Sequence, residues 1–317
     1  MKFLITGGSG FIGTNLVEYY SSKGHEVLNI DRVKPKIENH NQYWKKLDIR
    51  NTQEVMGIVS EFNPEYVIHM AADTGLTGTS LDNYDTNLEG VKNVLKLCKE
   101  ISSIKKIIFA STMLVCKAGH IPRSDSDYSA TTLYGKSKAI AEDMVRKSAL
   151  KCDWVIVRPS SIWGPWFGRT YREFFELILA KKYMNFGGKM STKTYGFISN
   201  VIYQIDRILF DERSNGKTLY LGDYEPTNIK VWSQEISFIL NQKVKVVPKF
   251  LVIIAALVGD VLGKFNFRFP LNSFRIANMT TDNILDLSKT KEIAPNLPYS
   301  RIEGSKFTID WIESQKK

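Results

Sequence analysis

Tyr134 and Lys138 stand four residues apart in the run Tyr134-Gly135-Lys136-Ser137-Lys138, a spacing that brings both side chains to one helix face about one turn apart. A phenol with an ordinary pKa of about 10 is a poor base at neutral pH, and a nearby ammonium favours its phenolate. Tyr134 could then take a proton from an alcohol while hydride leaves the same carbon. The pairing also arises by chance on surface helices, so it gains weight only from its surroundings. Upstream, Phe109-Ala110-Ser111-Thr112 closes an apolar run with two hydroxyls. A hydroxyl at such a strand end can bond the substrate oxygen and steady the proton transfer.

A departing hydride needs an acceptor, and the amino-terminal segment is built to hold one. Directly after the apolar run Lys2–Thr6 come Gly7-Gly8-Ser9-Gly10-Phe11-Ile12-Gly13. Gly7 permits a tight turn, Gly10 lets the backbone approach a pyrophosphate, and Gly13 lets the following helix pack close to the strand. The amides opening that helix then face phosphate oxygens. Asp31 ends the next β-like run, close to the expected span of about 20 residues downstream. A carboxylate there accepts both ribose hydroxyls and repels a 2′-phosphate, which favours NAD over NADP, although the adjacent Arg32 could pair with that phosphate instead. Asp48 is placed either to accept from the adenine amino group or to serve as a turn residue before Asn51-Thr52.

The elements that must carry these residues alternate in the βαβ rhythm of a parallel sheet. Strands are expected at Lys2–Thr6, Glu26–Ile30, Gln42–Leu47, Tyr66–His69, Lys106–Ala110 and Trp154–Arg158, with helices at Phe11–Ser22, Thr52–Phe62, Asn83–Ile101 and Leu133–Leu150. Leu88, Val91, Leu95 and Cys98 recur at helical spacing and form a buried stripe. Right-handed crossovers give an α/β fold, a Rossmann-type doubly wound parallel sheet over residues 1–165. After Pro165 the rhythm breaks. Residues 166–317 are read mainly as a smaller C-terminal substrate-binding lobe over the carboxyl ends of the strands, with some segments returning to the first domain. Within it we expect a strand near Leu219–Leu221, a helix over Asn228–Leu240 capped by Thr227, and a closing surface helix, Ser305–Glu313.

The chain of 317 residues holds 43 Lys and Arg against 33 acids, for a net charge of +10. The surplus is uneven: residues 1–165 hold 21 basic and 18 acidic side chains, leaving 22 and 15 for the rest. No basic block of the kind that marks a nucleic-acid arm occurs, so a phosphorylated small molecule is preferred over nucleic acid. Cys98, Cys116 and Cys152 lack metal-ligand spacing and suggest a reducing, cytoplasmic setting; no metal site is expected. Met1–Ile5 carries one charge and runs into the glycine cluster, so it reads as a strand and not as a leader. The longest apolar run, Phe250–Val258, is too short to span a bilayer, for which roughly 20 residues are needed. It reads as a helix buried in the smaller lobe, with a position on a membrane surface the less favoured alternative.

Taken together, the sequence resembles the extended short-chain dehydrogenases/reductases, in their NAD-dependent nucleotide-sugar epimerase/dehydratase branch, along essentially its whole length. The resemblance rests on Gly7–Gly13, Asp31, Asp48-Ile49, His69-Met70-Ala71-Ala72, Asn87 with Gly90, Ser111-Thr112, Tyr134 with Lys138, and Arg158-Pro159-Ser160-Ser161-Ile162-Trp163-Gly164-Pro165. It implies that Gly7, Gly10, Gly13, Asp31, Asp48, Ala71, Tyr134 and Lys138 hold NAD, with Phe11, Ile12, Arg32, Ile49 and Ala72 beside them. It makes Thr112 the catalytic hydroxyl and gives Lys138 a second duty, bonding the nicotinamide ribose. Ser111, Ser161 and Arg268 or Arg275 are the candidates for substrate contact, Ser161 standing where the family usually has Asn.

Dehydratases of the family carry Asp-Glu directly after the threonine, where this chain has Met113 and Leu114, so dehydration is disfavoured. The resemblance therefore implies an epimerase of a UDP-hexose type nucleotide sugar, at carbon 4, acting as a homodimer. The alternatives are an NAD(P)-dependent reductase or dehydrogenase of a keto sugar, a lipid-linked sugar or a sterol, and, from another class, a non-catalytic dinucleotide sensor.

Overall fold

In the computed structural model, which describes residues 1–264 and 273–316, the first half folds as alternating strands and helices. These are β1 (Lys2–Thr6), α1 (Phe11–Ser22), β2 (Glu26–Asp31), β3 (Trp44–Lys46), α2 (Thr52–Phe62) and β4 (Tyr66–His69). There follow α3 (Asp85–Glu100), β5 (Lys106–Ala110), α4 (Leu133–Arg146) and β6 (Asp153–Pro159). The expected third strand is shorter than Gln42–Leu47 because Glu38–Tyr43 winds into a 3-10 turn ahead of it.

The second half adds β7 (Ser161–Trp163), α5 (Arg169–Leu179), β8 (Met184–Phe186), β9 (Thr192–Lys193), β10 (Tyr195–Phe197), α6 (Ile198–Phe210) and β11 (Thr218–Leu221). It ends with β12 (Thr227–Asn228), α7 (Ile229–Ile239), β13 (Lys245–Val247), α8 (Lys249–Lys264), α9 (Ser273–Thr280), α10 (Ser288–Ile293) and α11 (Arg301–Ser314). Asn228, not Thr227, caps α7, since its side chain accepts from the Lys230 amide. Ser300 and Glu303 close a capping box on α11, whose Ile309 and Ile312 are buried.

One seven-stranded sheet runs in the order β11-β6-β5-β4-β1-β2-β3, every pairing parallel. From β1 the chain moves outward through β2 and β3, then crosses back to β4 on the other side. The crevice at that reversal, above the carboxyl ends of β1 and β4, is where open α/β sheets bind ligands. Alternation along β1 splits the core: Phe3 and Ile5 join one cluster with α1, α6 and the second-half aromatics, while Leu4 joins the other with α2, α3 and α4. In the first cluster Trp163 and Trp232 lie 4.8 Å apart between ring centroids and continue the core into the smaller lobe. Residues 198–221 return to the sheet, with α6 packing on α1 and β11 forming its edge.

The apolar run expected to be buried is not. In α8, Val252 packs against Phe186 and Met190 and Ala256 is buried, but Phe250 (61% exposed), Ile254 (54%), Leu257 (57%) and Val261 (54%) face outward. The lobe covers only one side of a helix that is apolar nearly all round. Among the described residues no helix is long and apolar enough to cross a membrane.

Candidate active site

The β1–α1 turn is shaped by close approach. A Cβ on Gly7, whose φ is +73°, would lie 2.6 Å from the Ala71 amide nitrogen, and one on Gly13 would lie 2.1 Å from the Gly7 carbonyl oxygen. Only glycine lets the loop sit this low against β4 and lets α1 begin this close to β1. Gly10 caps α1 with no side-chain bond, leaving the first-turn amides to an incoming anion. Asp31 accepts from the Ser9 amide at 3.0 Å and from the Val33 amide at 2.9 Å, which ties the glycine loop to the end of β2. These residues line a cavity of about 660 Å³ running from Asp31 past Ala71 and Ala72 to Tyr134, in the size range of cofactor sites.

At the far end of this cavity two elements clamp the hydroxyls. Thr132 caps α4, accepting from the Gly135 amide at 3.0 Å. A Cβ on Gly135 would lie 2.2 Å from the Leu114 carbonyl oxygen, so glycine lets the helix start press onto the Met113–Val115 turn. That contact brings the Tyr134 phenol and the Thr112 hydroxyl to the same end of the cavity. Burial pushes the Tyr134 phenol up to about 12, with the neighbouring Thr112 hydroxyl the main counterweight. Sequence reasoning expects Lys138 to acidify this phenol; within the protein alone burial wins instead, and Lys138 Nζ donates to the Ala110 carbonyl at 2.8 Å. Burial lowers Lys138 itself to about 8, with Glu142 pulling in the opposite direction.

Behind the hydroxyls lies a group that sequence reasoning missed. Glu142, one turn beyond Lys138 on α4, is buried and accepts from the Ser111 hydroxyl, from Arg158 Nε at 2.8 Å and Nη2 at 2.7 Å, and from Arg146 Nη2 at 2.8 Å. Burial alone would raise its carboxyl, but Arg158, Ser111 and Arg146 hold it below the usual glutamate range. Arg158 is buried too, and its opposite charge keeps the pair ionised. The signal was present in the sequence as a third polar residue at helical spacing, Tyr134, Lys138, Glu142, on a face otherwise buried.

A model of the family described as "NAD dependent epimerase/dehydratase family" matches residues 3–215. The chain belongs to that family. NAD is accordingly its cofactor, and the glycine cradle, the uncapped α1 start and Asp31 fit it. Among similar proteins, a 3-beta-hydroxysteroid dehydrogenase of Mycolicibacterium neoaurum is 27% identical over 264 residues, covering 76% of this chain and 71% of the relative. An N-acetyl-alpha-D-glucosaminyl-diphospho-ditrans,octacis-undecaprenol 4-epimerase of Escherichia coli O157:H7 is 24% identical over 320 residues, covering 97% and 94%. A UDP-glucuronic acid 4-epimerase of Bacillus cereus, solved in complex with NAD, superposes with a TM-score of 0.75 over 100% of both chains at 20% identity. That likeness is one of fold.

Measured against the family's pattern, most of the expected residues converge on one cavity. Gly7, Gly10, Phe11, Ile12, Gly13, Asp31, Arg32, Ile49, Ala71, Ala72, Ser111, Thr112, Tyr134, Lys138 and Ser161 all line it. Asp48 is not among them: its carboxylate is held by Arg50 at 2.7 Å and drawn to Arg32 at 3.8 Å at the edge of the site. The two arginines behind it hold the carboxyl below its ordinary range. Arg268 lies outside the described residues, as does the side chain of Arg275 on α9. Tyr171, Thr74 and Thr86 line the cavity unforeseen, and the Tyr171 hydroxyl donates to Ser161 Oγ at 2.6 Å. Nothing local marks Tyr171 in the sequence, because only the packing of α5 over β7 brings it there. Met113 and Leu114 present hydrocarbon to the same space, and Cys116 packs with Val115 and Ala139.

Proposed function

We propose that this enzyme is an NAD-dependent epimerase of a nucleotide sugar of the UDP-hexose type, inverting carbon 4 by way of a transient keto sugar. The observation that carries the reading is the Tyr134–Thr112 hydroxyl pair, buried at the end of the glycine-loop cavity and flanked by Met113 and Leu114. Two apolar side chains next to the hydroxyl pair favour simple proton exchange over elimination, which needs a second acid and base.

NAD, when bound, supplies the acceptor and donor of hydride at the sugar carbon. The chain's own residues do the rest. The first-turn amides of α1 and Gly10 hold the pyrophosphate, Asp31 the adenosine ribose, and Lys138 the nicotinamide ribose. Thr112 holds the substrate oxygen while Tyr134 removes its proton and later returns it. A phenol pushed up to about 12 holds its proton firmly, so the cationic surroundings formed on binding must bring it down for the first step. Ser161 and Tyr171 close the cavity on the substrate side and are candidates to contact the sugar. The reading includes a homodimer through the faces of α3 and α4 and a cytoplasmic setting, the latter supported by three free cysteines.

The test is to denature the purified protein, identify the released dinucleotide and its redox state, and assay UDP-sugars without added cofactor. Retained NAD(H) with cofactor-independent interconversion is expected. Stoichiometric consumption of NADH would instead establish a reductase. A second reading, a sugar carried on a polyprenyl lipid, is favoured by the outward hydrocarbon of α8 and by the lipid-linked substrate in the name of the Escherichia coli relative. A substrate panel containing a polyprenyl diphosphate sugar separates the two.

A further inference from the structure

We propose that α8 is a membrane-docking element that lays the smaller lobe on an anionic lipid surface. Phe250, Ile253, Ile254, Leu257, Val258 and Val261 are all exposed and, at helical spacing, fall within one continuous arc of the helix. Val252 and Ala256 are buried on the opposite side, and Val252 packs against Phe186 and Met190 of the lobe. A contiguous aliphatic face of this kind is uncommon on a soluble protein unless something covers it.

Charge identifies the cover. Between Asn241 and Lys264 the chain has four lysines and a single acid, Asp260, which accepts from the Ser273 amide at 3.1 Å and from the Ser273 hydroxyl. Lys243 just ahead of β13, Lys245 on it and Lys249 at the start of α8 are all exposed. Parallel pairing sets Lys245 opposite Met184, so the exposed Lys181 and Lys182, just ahead of β8, flank the same ribbon. None of these five lysines has an ion-pair partner among the described residues. Hydrocarbon bordered by unpaired cations matches an interface of acyl chains beneath anionic headgroups.

A second copy of the chain fits less well, because a two-fold contact on this face would set the same lysines against each other. A protein partner fits less well too. Apart from Phe250 the face offers isoleucine, leucine and valine, with none of the tryptophan, tyrosine or arginine that anchor protein interfaces. With 16 residues α8 is too short to cross a bilayer, which needs roughly 20, and so would lie in the interfacial plane. The proposal does not depend on which sugar the enzyme takes.

The experiment is flotation of the full chain with vesicles of phosphatidylcholine alone, or of phosphatidylcholine with phosphatidylglycerol, at low and high salt. We expect binding about tenfold stronger to the anionic vesicles, weakened by salt. The double variant Ile254→Glu, Leu257→Glu should abolish it while retaining bound dinucleotide, which reports an intact first domain. Lys243→Glu with Lys245→Glu, which leaves the apolar face untouched, should remove the preference for anionic lipid. The proposal is overturned by wild-type protein that floats with neither vesicle, by variants that bind as well as wild type, or by a wild-type dimer that Ile254→Glu splits. Recovery of dinucleotide reads the first domain separately, so failure here leaves the catalytic reading standing.

Discussion

Around Tyr134 the chain buries Lys138, Glu142 and Arg158 and gives each a partner, whereas along α8 it leaves Phe250, Ile254 and Leu257 in solvent and flanks them with exposed lysines that have no ion-pair partner among the described residues. The first region has already met the cost of taking charges out of water, through bonds fixed by α4 and β6. Its groups are therefore aimed before a substrate arrives, which is how a fixed polar site lowers a barrier. The second region is incomplete by the same standard, since its hydrocarbon and its cations lack the surroundings that would satisfy them. An active site is finished within the fold; a docking surface is finished by its partner.

The largest expected effect lies at the finished end. Tyr134→Phe removes only the phenolic oxygen from a buried ring, so turnover should fall about a thousandfold while dinucleotide remains bound. Turnover that survives this change would mean that the hydroxyls are structural and the site is organised around something else. Next comes the ion cluster. Glu142→Gln keeps the shape but leaves Arg158 buried without its counter-charge, and should cost about 3 kcal/mol in urea unfolding. The same change removes the negative charge that holds Lys138 up, so any alkaline limb in the rate that reports Lys138 should move below about pH 8. A shifted limb distinguishes a positioning role from mere destabilisation, which would lower the rate equally at every pH.

Where each region could be foreseen follows from how local its physics is. The strands β1, β4 and β5 and the helices α1 and α2 stand where periodicity put them, because alternation and caps are properties of short stretches. Gly7, Gly10, Gly13 and Asp31 were legible for the same reason: a turn, a strand end and a spacing identify them. Glu142 was harder, since its meaning depends on Arg158 arriving from β6, sixteen residues later. Asp48 stands between two roles in the sequence, whose spacing does not show that its carboxylate pairs with Arg50. The apolar run of α8 looks like core by composition, and no pattern within it tells that the lobe supplies packing on one side only. Local signals recovered the sheet and the loop; long-range packing decided the rest.

A third test asks how deeply the finished region depends on burial itself. His69, at the end of β4 under the glycine loop, is fully buried with Nδ1 2.7 Å from the Thr6 hydroxyl. Burial, aided by Lys138, lowers its pKa to about 3. The unfolded chain takes up a proton near the ordinary value of about 6.5, while the folded chain resists it down to about 3. Stability is therefore lost as the pH falls through this interval, by about 2 kcal/mol between pH 7 and pH 5. Urea midpoints measured at both values check it, and His69→Gln should flatten the difference. An unchanged pH response in the variant would assign the acid sensitivity to other groups.

The smallest expected effect lies at the rim, where preorganisation meets solvent. Asp31 accepts two amides and is partly exposed, so its charge is screened more than that of Glu142. A carboxylate can accept both bonds at once, but in Asp31→Asn one oxygen becomes an amide that faces the Ser9 or Val33 donor. The bond lost there is worth about 1 kcal/mol. Repulsion of a 2′-phosphate disappears with the charge, so the preference for NAD over NADP should fall about tenfold, in keeping with a screened Coulomb interaction across a few ångströms. Arg32 pulls the same way: drawn to Asp48 at 3.8 Å, it is free to turn once a phosphate is present. Competition between the two dinucleotides for the purified variant reads the ratio directly. A preference that does not move would show that geometry at the glycine loop, and not the charge of Asp31, selects the cofactor, and would extend the finished region outward to the cavity mouth.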